Sequence, residues 1–228
     1  MIQKKDKSIL VFRFSALGDI AMTIPVLRSF FNTYPNQKIT FVSRGFVEPL
    51  FKEFDNLEFV SVDFNNDYKG LKGLFKLFKL LRKKNIKAVA DLHNVLRTKI
   101  LKIFFKLVFI KVQSIDKGRA DRKKLTQKNN KKFKPLTPIH YRYCDVFGRL
   151  GFPIDLTNHE YPIKPFLPEN SEEQKILSKS EDKKIIGIAP FASFTGKNYP
   201  LDLMQNVIAY LQKDNIIYLF GGGENELK

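Results

Sequence analysis

Short apolar runs alternate with segments of helical periodicity along most of the chain, and this alternation is what most constrains its fold. The apolar runs predict strands at residues 8–14, 38–43, 57–62, 86–92 and 107–112. Between them, the apolar spacing predicts helices at residues 20–31, 70–84 and 95–105. Strands that alternate with helices are typical of βαβ units, so we expect an α/β fold with a parallel sheet.

The second part of the chain repeats this alternation after an interruption. Residues 116–138 are rich in Lys and Arg without a sustained apolar period, which predicts a long basic loop, and residues 139–150 predict a helix ending at Gly151. A proline-rich linker then leads to helices at residues 171–180 and 201–214 and to strands at residues 184–189 and 216–220. We expect two domains, 1–165 and 166–228, the second incomplete because two strands cannot form a sheet covered on both faces.

The net charge of +17 is concentrated in the first domain. Residues 1–165 contain 33 Lys and Arg against 14 Asp and Glu. A basic domain attracts nucleic acid, an anionic membrane or a phosphorylated substrate, although a solvated lysine-rich surface explains part of the charge.

The cysteine count and the hydropathy of the chain indicate its cellular compartment. The single cysteine, Cys144, excludes an internal disulfide framework and suits a reducing cytoplasm. No segment has the roughly 20 consecutive apolar residues that span a bilayer, and the first residues lack the features of a signal peptide. We therefore expect a cytoplasmic protein, either soluble or peripheral on a membrane.

A carboxylate follows the first predicted strand, in the string Arg13-Phe14-Ser15-Ala16-Leu17-Gly18-Asp19 with Thr23-Ile24-Pro25 downstream. In open α/β sheets, ligands bind in the crevice beyond the carboxyl ends of the strands. Asp19 is therefore a candidate site residue. The alternative interpretation is that Asp19 caps the following helix.

Three further strings follow strands in order. They are Asp91-Leu92-His93-Asn94-Val95-Leu96-Arg97-Thr98, Ala189-Pro190-Phe191-Ala192-Ser193 with Lys197-Asn198-Tyr199-Pro200, and Gly221-Gly222-Gly223-Glu224. Arg97 suits a phosphate or carboxylate, because its guanidinium pairs with either through two hydrogen bonds. His93 is also interpretable as a polar residue at a strand end, and Lys197 as a surface lysine.

Together these strings resemble the motifs of the lipopolysaccharide heptosyltransferases, the family 9 glycosyltransferases, with Phe191 and Tyr199 replacing the usual Gly and Trp. The resemblance implies a GT-B-type enzyme with two Rossmann-like domains, C-terminally truncated here. Such enzymes move a heptose from ADP-heptose to the lipopolysaccharide inner core with inversion. The resemblance implies no metal and no cofactor besides the nucleotide sugar.

The resemblance also implies roles for individual residues. Asp19 matches the catalytic base, Ser15 and His93 lie near the acceptor, and Lys197 matches the lysine at the donor diphosphate. Ser193 falls in the phosphate site and Glu224 matches the ribose-binding residue, with Glu226 as a competitor. Arg97, Arg119 and Arg122 are expected to bind anions of a lipid A–Kdo acceptor on the inner face of the anionic inner membrane.

Three alternatives compete with this hypothesis. A nucleic-acid-binding module fits the charge, but the sequence lacks the motifs of such modules, so no nucleic-acid partner is expected. A GT-B transferase of another nucleotide sugar and a non-catalytic remnant both fit the motifs.

Residues 70–84 place lysines beside an apolar stripe, which predicts a helix that either packs on the sheet or lies on a membrane.

Overall fold

A computed structural model describes residues 7–129, 131, 133–157, 171–178, 183–192 and 194–222. The chain divides into two compact units, Met1–Pro162 and Ile163–Lys228. The predicted domain boundary between residues 165 and 166 lies outside the described residues.

The first unit is built on a five-stranded parallel sheet with the order β3-β2-β1-β4-β5. The strands are β1 (Ser8–Phe12), β2 (Lys38–Ser43), β3 (Leu57–Ser61), β4 (Ile86–Asp91) and β5 (Lys111–Ser114). The chain crosses from one side of β1 to the other between β3 and β4, so the strand order reverses at β1 and β4. In parallel sheets, ligands bind at such a switch point, beyond the carboxyl ends of the strands.

Helices cover both faces of this sheet. They are α1 (Leu17–Ala21), α2 (Ile24–Thr33), α3 (Gly70–Arg82), α4 (Leu96–Leu107), α5 (Arg119–Thr126) and α6 (Ile139–Leu150), with a 3₁₀ helix at Gly45–Phe51. Ile9 and Val11 point into a core shared with α2 and α6, whereas Leu10 and Phe12 point into a second core with α3 and α4. Burial on both faces explains why β1 reads as a continuous apolar run.

Two predicted boundaries in the first unit are wrong. The helix predicted over residues 20–31 is two helices, because Pro25 in the first turn of α2 cannot donate the hydrogen bond that would continue α1. The strand predicted from residue 107 begins at Lys111, since α4 continues through Leu107 and the chain turns at Phe109, whose φ is 59°. An apolar run of this length fits either a helix or a strand.

The basic loop predicted over residues 116–138 contains the helix α5. The described side chains of α5 are all outside the core, so its sequence lacks the apolar period by which helices are recognised. Its Arg, Lys, Ala and Leu residues are nevertheless good helix formers. Gly118 supplies the left-handed residue at the helix start, where its N–H donates to Asp116 Oδ1 at 2.9 Å.

The second unit contains the parallel strand pair that the sequence predicts. Strands β6 (Lys184–Ile188) and β7 (Asn215–Leu219) pair in register from Lys184 with Asn215 to Ile188 with Leu219. Helices α7 (Glu172–Ser178) and α8 (Leu201–Leu211) accompany them, with a short 3₁₀ helix at Thr195–Lys197.

None of the helices in the described ranges combines the length and apolar character that a bilayer crossing requires.

Candidate active site

The carboxyl edge of the sheet brings together the predicted residues of the first unit. Asp19 follows β1, and His93 follows β4, which is hydrogen-bonded to β1. Ala16 is the N-cap residue of α1, and Asp19 lies inside the first turn with about half of its side chain exposed. The interpretation of Asp19 as the helix cap is therefore wrong.

Arg13 orients the Asp19 carboxylate. Its side chain is 6% exposed, and its Nη2 donates to Asp19 Oδ2 while Nη1 donates to the Leu92 carbonyl at 3.0 Å. The Tyr143 hydroxyl from α6 donates to the Asp19 carbonyl at 3.1 Å, and the Tyr143 ring lies 6.0 Å from Arg13 Cζ. The half-exposed Asp19 carboxylate is thus held by the buried Arg13 side chain. Arg13 is itself hydrogen-bonded to Leu92, the residue that follows β4.

Hydrogen bonds define the protonation of His93. The backbone N–H of Phe14 donates to Nδ1 at 3.4 Å, so Nδ1 carries no proton and the neutral ring has its proton on Nε2. Nε2 lies 3.4 Å from Ser15 Oγ. The predicted residues Ser15 and His93 are therefore in contact, and His93 presents an N–H donor to Ser15.

Burial, and after it the positive charges of Arg13 and Lys117, lower the pKa of His93 from 6.5 to about 4. Lys117 follows β5, and its own pKa is lowered first by burial and then by Arg119 and Arg13. The carboxyl edge of β4 and β5 is therefore strongly electropositive, which favours an anionic ligand.

We expect the protein to lose stability as the pH falls from about 6.5 to about 4, because in this window the unfolded chain binds a proton at His93 that the folded chain excludes. His93→Gln should remove this part of the slope. Denaturant unfolding of both proteins across the window tests the expectation, and the His93 ring resonances report its protonation directly. A His93 titration midpoint near 6.5 would contradict it.

A buried ionic network holds the loop after β4. Asp91 is fully buried, and its Oδ1 accepts hydrogen bonds from the backbone of His93 at 3.0 Å and of Asn94 at 2.7 Å. Lys102 on α4 places its Nζ 2.8 Å from Asp91 Oδ2 and donates to Ser114 Oγ at 2.6 Å. The network ties the His93 loop to the end of β5.

Two basic cavities flank this loop. One of about 370 Å³ contains Arg97 and Arg44, with Asp63 and the Phe64 ring, whose centroid lies 5.0 Å from Arg97 Cζ. The other, about 220 Å³, contains Arg119 with Lys99 and Lys117. In both, the guanidinium of a predicted acceptor residue lines a space large enough for a phosphate or carboxylate.

A larger cavity of about 720 Å³ lies at the opposite edge of the sheet, beside the first residues of β1, β2 and β3. Its lining contains none of the predicted site residues.

The predicted donor residues belong to the second unit. Lys197 is exposed at the end of the short 3₁₀ helix, where its backbone N–H donates to the Phe194 carbonyl at 2.9 Å. The Asn198 side chain accepts from the Ala192 N–H at 2.8 Å and closes the turn that carries Lys197. Ser193 and Glu224 lie outside the described residues.

Sequence reasoning assigned no role to Arg13, Tyr143, Lys117, Arg44, Asp91 or Lys102. Arg13 and Lys102 had a signal, since each is a charged residue directly beside apolar residues in the sequence. Tyr143 had none, because the contact joins residues that are 124 positions apart.

The comparisons with known proteins identify the family of this α/β protein. The sequence profile of glycosyltransferase family 9 (heptosyltransferase) matches residues 74–228, and the chain belongs to this family. No curated protein matches the chain.

Solved structures show the same fold. The family 9 glycosyl transferase from Veillonella parvula DSM 2008 superposes with a TM-score of 0.71 at 19% identity, over 99% of this chain and 65% of that protein. E. coli heptosyltransferase WaaC with ADP superposes with a TM-score of 0.64 at 16% identity, over 96% of this chain and 69% of that protein. E. coli ADP-heptose LPS heptosyltransferase II superposes with a TM-score of 0.56 at 18% identity, over 96% of this chain and 65% of that protein. The chain thus spans about two thirds of each relative, and the predicted α/β fold of GT-B heptosyltransferases is confirmed.

Proposed function

We propose that the protein transfers a heptose from ADP-heptose to the lipopolysaccharide inner core with inversion, using Asp19 as the general base. The observation that carries this proposal is the placement of Asp19 at the strand-order switch, half exposed and oriented by the buried Arg13. A general base needs a free oxygen within hydrogen-bond reach of the hydroxyl it deprotonates. Arg13 occupies Oδ2, which leaves Oδ1 for the acceptor.

In the proposed reaction, an acceptor hydroxyl gives its proton to Asp19 while its oxygen bonds to the anomeric carbon of the donor. The bond from that carbon to the diphosphate oxygen breaks, and ADP leaves with the electron pair. Lys197 offsets the charge that develops on the leaving diphosphate. Ser193 and Glu224 are proposed to bind the phosphate and the ribose of the donor.

The electropositive carboxyl edge supports an anionic acceptor. Arg97 and Arg119 each line a cavity there, and Arg122 lies on the same helix as Arg119. We propose that they bind the phosphates or carboxylates of a lipid A–Kdo core, presented at the cytoplasmic face of the anionic inner membrane. Ser15 and His93 border the reacting hydroxyl.

A donor panel tests the proposal. The full-length gene product should release ADP from ADP-heptose and glycosylate a Kdo–lipid A acceptor, while UDP- and GDP-linked sugars should react poorly. Preference for another nucleotide sugar would instead establish a different transferase, as the Phe191 and Tyr199 departures allow. No transfer from any donor, with the protein folded, would contradict an enzymatic role.

A further inference from the structure

The outward faces of α3 and α4 leave large apolar side chains in solvent. Helix α3 packs Leu74, Leu77, Phe78 and Leu81 on the sheet, so its main apolar stripe is used in the core. Leu71 and Phe75 remain exposed beside that stripe. On α4, Leu96, Ile103 and Leu107 are exposed by 73%, 56% and 70%, and Phe109 in the turn after α4 is exposed by 97%.

These residues form one continuous surface, which we call the α3–α4 face. Leu96, Ile103 and Leu107 recur at spacings that put them on one side of α4. Both helices pack into the same core, and the rings of Phe75 and Phe104 meet edge to face at 5.6 Å. The outward side of α4 therefore continues through Phe75 to Leu71 on α3.

Lysines border this apolar surface on both sides. On α3 the outward side chains beyond Phe75 are Lys72, Lys76 and Lys79, and Lys79 Nζ lies 4.8 Å from the Phe75 ring centroid. On α4, helical spacing places Lys99 and Lys106 along the other border. An apolar centre with basic margins is the pattern of elements that lie in the interface of an anionic bilayer.

The surface charge of the α3–α4 face is positive. Residues 70–112 contain 12 Lys and Arg and a single acidic residue, Asp91. Asp91 is fully buried and paired with Lys102, so it contributes no negative charge to the surface. A second copy of the chain would bring like charge against like, which disfavours self-association through this face.

We propose that the α3–α4 face is a membrane-docking surface that binds anionic phospholipid, with Phe75, Ile103, Leu107 and Phe109 entering the interface and the flanking lysines contacting head groups. The face extends to Leu96, which is adjacent to Arg97 at the carboxyl edge of the sheet. Docking through it places the acceptor side of the active site next to the bilayer. The inference deepens the proposed function, on which it rests for the lipid-linked acceptor.

The chain contains no tryptophan, so a single introduced tryptophan reports its own surroundings. Phe109→Trp should shift its fluorescence to shorter wavelength on vesicles of phosphatidylcholine and phosphatidylglycerol, and brominated lipid should quench it. Tyr210→Trp, at an exposed position on α8 in the second unit, is the matched control and should show neither effect. An unchanged Phe109→Trp spectrum on these vesicles would overturn the proposal.

Charge variants test the lysine border. Each lysine near an anionic surface raises binding about fivefold, so Lys72→Gln/Lys76→Gln/Lys79→Gln should weaken vesicle co-sedimentation about a hundredfold. Lys52→Gln/Lys184→Gln/Lys213→Gln removes the same charge elsewhere and should bind nearly as the unchanged protein does. Equal losses in both triple variants, or equal binding to pure phosphatidylcholine, would overturn the proposal. No sugar substrate is present, so failure of the transfer assay is a separate result.

Discussion

Asp19→Asn should lower the rate of sugar transfer by about a hundred- to ten-thousandfold, the range for removal of a general base. Asparagine keeps the size of the side chain and an oxygen facing Arg13, but it cannot take the proton of the acceptor hydroxyl. Donor affinity should stay nearly unchanged, because Asp19 belongs to the unit proposed to bind the acceptor. Steady-state kinetics with ADP-heptose and calorimetric titration with ADP measure the two quantities.

Asp67→Asn provides the matched control, since Asp67 is exposed and follows β3 rather than β1. Its turnover should equal that of the unchanged protein. If Asp19→Asn retained turnover within a few-fold of the control, the assignment of Asp19 as the base would fail.

Lys102→Met should destabilise the first unit by about 3–5 kcal/mol, because it leaves a buried carboxylate without its cation. Asp91 is fully buried, and Lys102 Nζ lies 2.8 Å from its Oδ2. Methionine preserves most of the length and the apolar stem of lysine, so the lost charge dominates the effect. Chemical denaturation followed by circular dichroism measures the free energy of unfolding.

Two companion variants distinguish the ion pair from a general effect of removing lysine. Lys106→Met, at an exposed position one turn later on α4, should change the free energy of unfolding by less than about 0.5 kcal/mol. Adding Asp91→Asn to Lys102→Met should recover much of the loss, since a neutral amide still accepts from the His93 and Asn94 backbones. A loss below about 1 kcal/mol for Lys102→Met would show that the pair is not what holds this loop.

The sequence predicts the parallel sheet because its first four strands are apolar enough to be recognised from neighbouring residues alone. Likewise, the motif around Asp19 was sufficient to place it beyond the first strand. Helix α5 could not be predicted from apolar spacing, because a helix with none of its side chains in the core has no apolar period. The start of β5 was ambiguous for the opposite reason, since the run from Leu107 to Ile110 is apolar and fits either a helix or a strand.

The geometry around Asp19 depends on contacts that the sequence does not encode locally. Arg13 reaches the carbonyl of Leu92, which is 79 positions away, and Tyr143 reaches the Asp19 carbonyl across 124 positions. Nothing in the spacing of these residues indicates that they meet. They meet because β1 and β4 pair and because α6 packs on the same face of the sheet as α1 and α2.

The central position of β1 has a consequence for biosynthesis. β1 leaves the ribosome before the other strands of its sheet, yet its partner β4 ends at Asp91, so one edge of β1 stays unpaired until more than half of the first unit has been translated. An unpaired apolar edge invites association with other nascent chains. Arg13 finds the Leu92 carbonyl only when β4 has docked, so Asp19 becomes oriented in the same step that closes this edge. A ribosome stalled before residue 92 would therefore carry a chain in which one edge of β1 is unpaired and prone to association. In the same chain, the Asp19 carboxylate would not yet be oriented by Arg13.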